Sequence, residues 1–383
     1  MKSNEKESEY MSNIVLNAPF RADIVGSFLR PKEIKEARAK YEKGELTAEE
    51  LTRVEDKCIS QLVQKQKAAG LQVITDGEFR RSYWHLDFMW GFAGVEHIEL
   101  DHGYYFHGEE TTHGSLALTG KISGENHPFV KHFKFIKQFE TEGVVARQTI
   151  PAPAQFYAEL FREDNGKNTN SVYPDHEELI QDIARAYRTV IHDLYAAGCR
   201  NIQFDDCTWG MVCDDKFWSS MAGSGYDVNA LKETYLRVNN LALEERPAGL
   251  VINTHVCRGN YHSTWACQGG YDSVAETLFG REKVDAFYLE FDDERSGGFE
   301  PLVHVPEGKK VVLGLITTKS PVLEDKKAVI ARIHEASRYI PLERLYLSPQ
   351  CGFASCEIGN KLTEEEQWAK IRLVKEIAEE VWK

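Results

Sequence analysis

No run in this chain approaches the roughly 18 consecutive apolar residues that a membrane-spanning helix needs. Its first segment, MKSNEKESEYMSN, is polar and has no apolar stretch of the kind an export signal carries. Positive charge is also in short supply: 46 Lys and Arg stand against 60 Asp and Glu, a formal net charge of −14. Such a balance recruits neither nucleic acid nor an anionic membrane, since both need a basic surface to meet phosphate. A cytoplasmic location and a small-molecule substrate are the expectations. The chain has no G-x-G-x-x-G turn after its first apolar run; the "VGSF" there is too short a glycine signal for a dinucleotide. No linker or low-complexity tract divides it, so a single domain over 1–383 is expected, with residues 1–13 disordered. The eight cysteines in 383 residues do not resemble a small disulfide framework. In a reducing compartment they are left to bind metal, to react or to pack.

With 42% hydrophobic and 28% charged residues, the chain is long enough to bury a large core. Apolar runs bounded by turn signals predict eight strands, at 22–27, 71–78, 144–150, 201–206, 250–256, 284–290, 310–316 and 344–349. Helical stretches lie between them, at 47–69, 175–197, 228–246, 321–338 and 363–382, with a further one starting at Pro31. Thr47 with Glu50 and Thr363 with Glu366 have capping-box spacing, Asp175 is placed to cap, and Gly198 is placed to stop its helix. "AAGLQVITDGE" (68–78) and "AAGCRNIQFDD" (196–206) repeat one pattern: helix end, glycine, apolar strand, acidic strand end. Eight such units predict an α/β fold, a (β/α)8 TIM barrel. The segment at about 79–143 is too long for a plain connection and is rich in aromatics and glycine, which predicts an inserted hairpin or lid over the barrel mouth.

Chemistry in such a barrel sits at the C-terminal ends of the strands. The residues found there are Ser27, Asp76, Glu78, Asp205, Asp206, His255, Cys257, Glu290, Thr317, Lys319 and Cys351. His255 and Cys257 are i and i+2, so an extended strand presents both on one face. Alone, H-x-C is a weak signal, because cysteine is often a small buried hydrophobe. Barrel closure would bring Glu290 and Cys351 to the same mouth, and a histidine, a carboxylate and two thiolates form a soft set that favours zinc. Cys58 and Cys199 read as packing residues; Cys207 and Cys356 lie near the mouth without an evident ligand partner. Asp76, Asp205 and Asp206 are equally open to helix capping or rim hydrogen bonding.

The pieces "VGSFLRP" (25–31), "DGEFRR" (76–81), "IQFDD" (202–206), "NTHVCRGN" (253–260), "YLEFDD" (288–293) and "LYLSPQCGF" (345–353) occur in an order spanning nearly the whole chain. In this the chain resembles the C-terminal catalytic barrel of cobalamin-independent methionine synthase. The resemblance implies a zinc-dependent S-methyltransferase that converts homocysteine to methionine, with His255, Cys257, Glu290 and Cys351 holding Zn2+. It further implies that Glu78 and Asp205 meet the substrate ammonium and that Ser27 holds the carboxylate. Full-length members carry an additional N-terminal half that helps bind a polyglutamylated folate, so the donor is left as methyltetrahydrofolate or a methyl-corrinoid, the latter carried by a corrinoid protein. In "LITTKSP" (315–321) Lys319 stands where the family has a proton-donating histidine, which makes it the candidate catalytic residue. A homodimer is left open.

Two other enzyme classes are separated by charge. An epoxyalkane–coenzyme M transferase would act on a sulfonate thiol with no ammonium for Glu78 and Asp205 to meet. A metal-independent decarboxylase of the uroporphyrinogen type would need a basic mouth, whereas this one is acidic.

Overall fold

The computed structural model describes residues 18–163, 165–217, 219 and 227–383. The expectation of disorder at 1–13 falls outside these residues. Six parallel strands form one sheet: β7 (Gln148–Pro151), β8 (Asn201–Asp205), β9 (Val251–Val256), β10 (Ala286–Glu290), β11 (Lys310–Ile316) and β12 (Leu345–Pro349), paired in chain order. A second parallel pair joins β1 (Val73–Ile74) to β6 (Val145–Ala146), which runs into β7 through Arg147.

The segment around Ala22 closes the circle. Ala22 bridges Leu347 of β12 in parallel, with Asp23 N–H donating to Leu347 O at 2.9 Å. On its other side Phe28 N–H donates to Gly77 O at 3.1 Å and the Thr75 hydroxyl to Gly26 O. The result is the TIM barrel expected from the strand count.

The predicted strands 22–27 and 71–78 form only a bridge and a two-residue ladder. Their amides are satisfied elsewhere: the Asp23 carboxylate accepts from Phe20 and Ile24 N–H, and the Gln66 side chain accepts from Thr75 N–H. Gly77 and Glu78 then take φ of 67° and 61°, which turns the chain out of extended geometry. Asp23 also anchors the barrel interior. Arg147 Nη1 lies 2.8 Å from its Oδ1, and Tyr288 Oη donates to its Oδ2 at 3.0 Å, all three fully buried. A buried guanidinium is tolerated there because both partners are matched and hydrogen-bonded.

The helices begin and end where local chemistry directs. Thr47–Glu50 and Thr363–Glu366 form reciprocal capping boxes at helices Ala48–Ala68 and Glu364–Val381, and Asp175 caps His176–Ala196. Helix Lys326–Ala336 starts later than the predicted 321, because Asp325 is its N-cap. Helices Pro153–Leu160, Asn165–Val172 and Ala275–Arg281 had no counterpart in the sequence reading.

Within 79–143, β2 (Ala93–Glu99) and β5 (Gly114–Ser123) form an antiparallel hairpin whose tip is a smaller hairpin of β3 (Tyr105–Phe106) and β4 (Glu109–Glu110). Helix Pro128–Lys137 packs against β6 and helix His176–Ala196, so it belongs to the barrel wall and not to the insertion. The hairpin tip docks on the loop that follows β9: His107 N–H donates to Trp265 O at 2.8 Å, their rings stack at 4.5 Å, and Phe106 meets Tyr261 at 5.2 Å. The insertion therefore bridges the mouth and rests on the segment carrying Cys257. Among the described residues no helix is long and apolar enough to cross a membrane.

Candidate metal centre and substrate cavity

β9 delivers His255 to the barrel mouth with Cys257 just beyond its end, and Cys351 follows β12 by two residues. The ligand atoms of His255, Cys257 and Cys351 lie within 4.8 Å of one another, and all three residues are buried. Among the described residues neither ring nitrogen of His255 is paired with an oxygen or another nitrogen; its neighbour is the Cys257 sulfur. Buried polar nitrogens are nearly always paired, so an imidazole left open beside two sulfurs is a donor set matched to a soft metal ion. Hydrogen bonds from the Cys207 and Cys351 thiols, helped by His255, hold the Cys257 thiol well below its ordinary range. Those same bonds push the Cys207 and Cys351 thiols up.

Glu290, the fourth residue of the expected set, is buried at the end of β10 but faces cations. Its Oε2 accepts from Arg258 N–H at 2.7 Å, while Oε1 lies 3.2 Å from Lys319 Nζ and 3.3 Å from Arg295 Nη2. Lys319 is thereby fixed between Glu290 and Asp292, the latter at 3.5 Å. Burial works against its charge, but the two carboxylates outweigh burial and hold its pKa above the ordinary lysine value. An ammonium so held is a counter-ion at neutral pH and a poor proton donor.

A cavity of about 910 Å³ opens from this cluster and is lined also by Ser27, Glu78 and Asp205. Glu78 Oε1 accepts from Thr149 Oγ1 at 2.9 Å and pairs with Arg81 at 3.2 Å, while its buried Oε2 has no hydrogen-bond partner among the described residues. Burial raises its pKa against the opposing pull of Arg81 and Arg30. Asp205 accepts from Gln203 Nε2 at 2.9 Å and is pushed up to about 7, chiefly by burial, with His255 pulling the other way. Two desolvated carboxylates lining this cavity are suited to a cationic group.

Ser27 Oγ accepts from Ala354 N–H at 3.3 Å, and a Cβ on Gly352 would stand 1.9 Å from that oxygen, so only glycine fits beside it. Asp76 and Asp206 serve locally. Asp76 accepts from Glu78 N–H at 2.8 Å; Asp206 accepts from Thr208 N–H at 3.0 Å, where helix Thr208–Val212 begins, and from Asn239 Nδ2 at 2.9 Å.

Some cavity residues had no role in the sequence reading. His85 and Gln155 also line it, each with a buried side-chain atom, Nδ1 and Oε1 respectively, that lacks a hydrogen-bond partner among the described residues. Burial drops the His85 imidazole to about 3, so it is neutral; its Nε2 pairs with Tyr104 Oη at 2.9 Å. Cys207 lies outside the group of three ligand residues but touches it, its sulfur 3.3 Å from that of Cys257. That signal was present in the sequence. "DDC" and "HVC" end consecutive strands at matching offsets, and the Asp205–His255 register makes them neighbours.

A profile of the family described as the catalytic domain of cobalamin-independent synthase matches residues 20–123 and 168–380. An uncharacterized Bacillus subtilis protein, YxjH, is 45% identical over 367 residues, 96% of either chain. The methionine synthase of Saccharolobus solfataricus is 25% identical over 335 residues, 86% of either chain. A crystal structure of a putative vitamin-B12-independent methionine synthase from Listeria monocytogenes superposes with a TM-score of 0.75 at 40% identity, covering 96% of this chain and 99% of that one.

Proposed function

The chain belongs to the cobalamin-independent synthase family through its catalytic domain, and from that premise we propose that it is a zinc-dependent S-methyltransferase converting homocysteine to methionine. What carries this reading is the gathering of His255, Cys257 and Cys351 within 4.8 Å at a cavity that also presents Glu78 and Asp205. An imidazole and two thiolates suit zinc better than magnesium or calcium, which take oxygen ligands. Glu290 would complete the set by turning from Lys319 toward the three soft donors. Bound zinc supplies the Lewis acidity that keeps a coordinated alkyl thiol deprotonated, and therefore nucleophilic, at neutral pH.

The chain's own residues do the rest. Glu78, through its unpaired Oε2, and Asp205 receive the ammonium of homocysteine. Ser27 Oγ and the backbone around Gly352 receive its carboxylate. Held at both ends, the substrate directs its sulfur at the metal cluster and away from bulk water, which converts a bimolecular encounter into a positioned one. Lys319, with its pKa raised, keeps Glu290 and Asp292 compensated when the cavity is empty and is assigned no proton transfer.

The donor occupies the part of the cavity lined by His85 and Gln155. A free methyltetrahydrofolate suits a cavity of about 910 Å³, whereas a corrinoid on a carrier protein would require the docked hairpin to lift. A thiol bearing a sulfonate is disfavoured, because Glu78 and Asp205 would repel it.

The test is spectroscopic. In cobalt-substituted protein, homocysteine is expected to change the metal's visible absorption, and Cys351→Ser to abolish metal binding; an unchanged spectrum on adding homocysteine would sink the thiol-activation reading. Activity with methyltetrahydrofolate mono- and polyglutamates and with methylcobalamin then identifies the donor.

A further inference from the structure

The contact between Cys207 and Cys257 belongs to no part of the reaction above. Their sulfurs lie 3.3 Å apart, one past the end of β8 and the other past the end of β9. These strands are paired in parallel with Asp205 opposite His255, and Asp206 N–H donates to His255 O at 2.8 Å. Cys207 and Cys257 therefore stand two residues further along the same register. Neighbouring strands run roughly 4.8 Å apart, and disulfides span Cα separations of about 4.4–6.8 Å. The 3.3 Å contact between the sulfurs, just past the end of that register, puts the two thiols within reach of a disulfide.

The chain after Cys207 is also fixed against Cys257. Gly210 packs so closely that a Cβ there would stand 2.0 Å from Cys257 O. Both cysteines line the cavity, and Cys207 is only partly buried, so a small solute reaches it from the mouth.

We propose that Cys207 and Cys257 form an oxidation site, closing to a disulfide when a peroxide enters the cavity. The Cys207 sulfur attacks one oxygen of hydrogen peroxide as its thiol gives up its proton. The O–O bond breaks, hydroxide leaves and takes up the thiol's proton as water, and Cys207 becomes the sulfenic acid. Cys257 sulfur then attacks Cys207 sulfur, the S–S bond forms, the S–OH bond breaks, and a second water leaves. In sum two thiols and one peroxide give one disulfide and two waters; the sulfurs lose the two electrons that the peroxide gains.

The consequence for the metal rests on the function proposed above, in which Cys257 is a ligand: once in the disulfide it no longer coordinates, and zinc is released. The site then links peroxide exposure to loss of the nucleophile-generating centre, and a dithiol reductant restores it.

The experiment treats the full-length protein, zinc-loaded and metal-free, with hydrogen peroxide. The readouts are intact mass, peptide mapping and zinc release to a chromogenic chelator. Expected are a mass loss of about 2 Da, a cross-linked peptide pair containing Cys207 and Cys257, release of zinc from the loaded sample, and reversal of all three by dithiothreitol. Cys207→Ser and Cys207→Ala are expected to bind zinc while losing both the cross-link and the peroxide-triggered release. A cross-link between other cysteines overturns the proposal, as does release at an unchanged rate in both variants. Failure of both folded variants to bind zinc overturns it too, because Cys207 would then be a ligand. A Cys207–Cys257 cross-link in protein that never binds zinc supports the oxidation site and defeats only the zinc reading, so the two failures are distinguishable.

Discussion

Lys319→Met removes the ammonium that faces Glu290 while keeping an apolar stem of similar length. In the structure Glu290 Oε1 lies 3.2 Å from Lys319 Nζ, and Glu290 is fully buried. At an effective dielectric of about 20, a unit pair at that separation interacts by about 5 kcal/mol. Arg295 and the Arg258 N–H remain after the substitution, so only part of this hold on the carboxylate is lost, roughly 2–3 kcal/mol. Two effects follow, one on the metal-free protein and one on the metal. The metal-free protein loses stability, because Glu290 and Asp292 are left under-compensated in a buried site. Zinc binding gains, because the carboxylate no longer has to leave an ammonium to reach the metal. Every 1.4 kcal/mol is tenfold, so Lys319→Met should bind zinc roughly 30- to 150-fold tighter. Competition against a chelator of known affinity measures this, and urea unfolding of the metal-free protein measures the loss of stability. A folded variant whose zinc affinity is unchanged or weaker refutes the idea that Glu290 alternates between Lys319 and the metal.

Other expectations follow from the same geometry. Glu78→Gln removes the partner proposed for the substrate ammonium, a charge-assisted contact worth about 1.5–3 kcal/mol, so KM for homocysteine should rise roughly 10- to 150-fold with a much smaller change in kcat; a fall confined to kcat would place Glu78 elsewhere in the reaction. His85 is held neutral with its pKa near 3, whereas in the unfolded chain it takes up a proton below about 6.5. Its contribution to stability is therefore present above pH 6.5 and is lost as pH falls toward 3, at about 1.4 kcal/mol per unit. Urea unfolding at pH 7.5 and 5.0 should show the wild type losing about 2 kcal/mol more than His85→Asn, and equal losses would contradict the burial argument. Gly210→Ala forces a methyl group against Cys257 O, 2.0 Å from where the Cβ would sit, and should displace Cys257 enough to cost about 1–3 kcal/mol and much of the bound metal. Full zinc content and wild-type stability in that variant would show that the loop can yield.

What the sequence determined by itself is what short-range chemistry controls. Apolar runs ending in turn residues located the strands, and reciprocal Thr and Glu spacing located the starts of helices Ala48–Ala68 and Glu364–Val381. A period of two put His255 and Cys257 on one face, and eight alternating units implied the barrel that brings Cys351 to them. The tertiary structure decided everything that depends on which distant groups compete for a given atom. The 22–27 segment is apolar enough for a strand, yet the Asp23 carboxylate takes two of its neighbouring amides and leaves a single bridge. Glu290 is a strand-end carboxylate in the sequence, but its partners Lys319 and Arg295 reach it from two separate loops, and their charges govern where it points. Cys207 had no visible partner until the barrel register set it beside Cys257, fifty residues on. The division has one physical reason: propensity, capping and periodicity act within a turn or two of the chain, whereas ion pairing, desolvation and strand register act across whatever space closure of the barrel makes short.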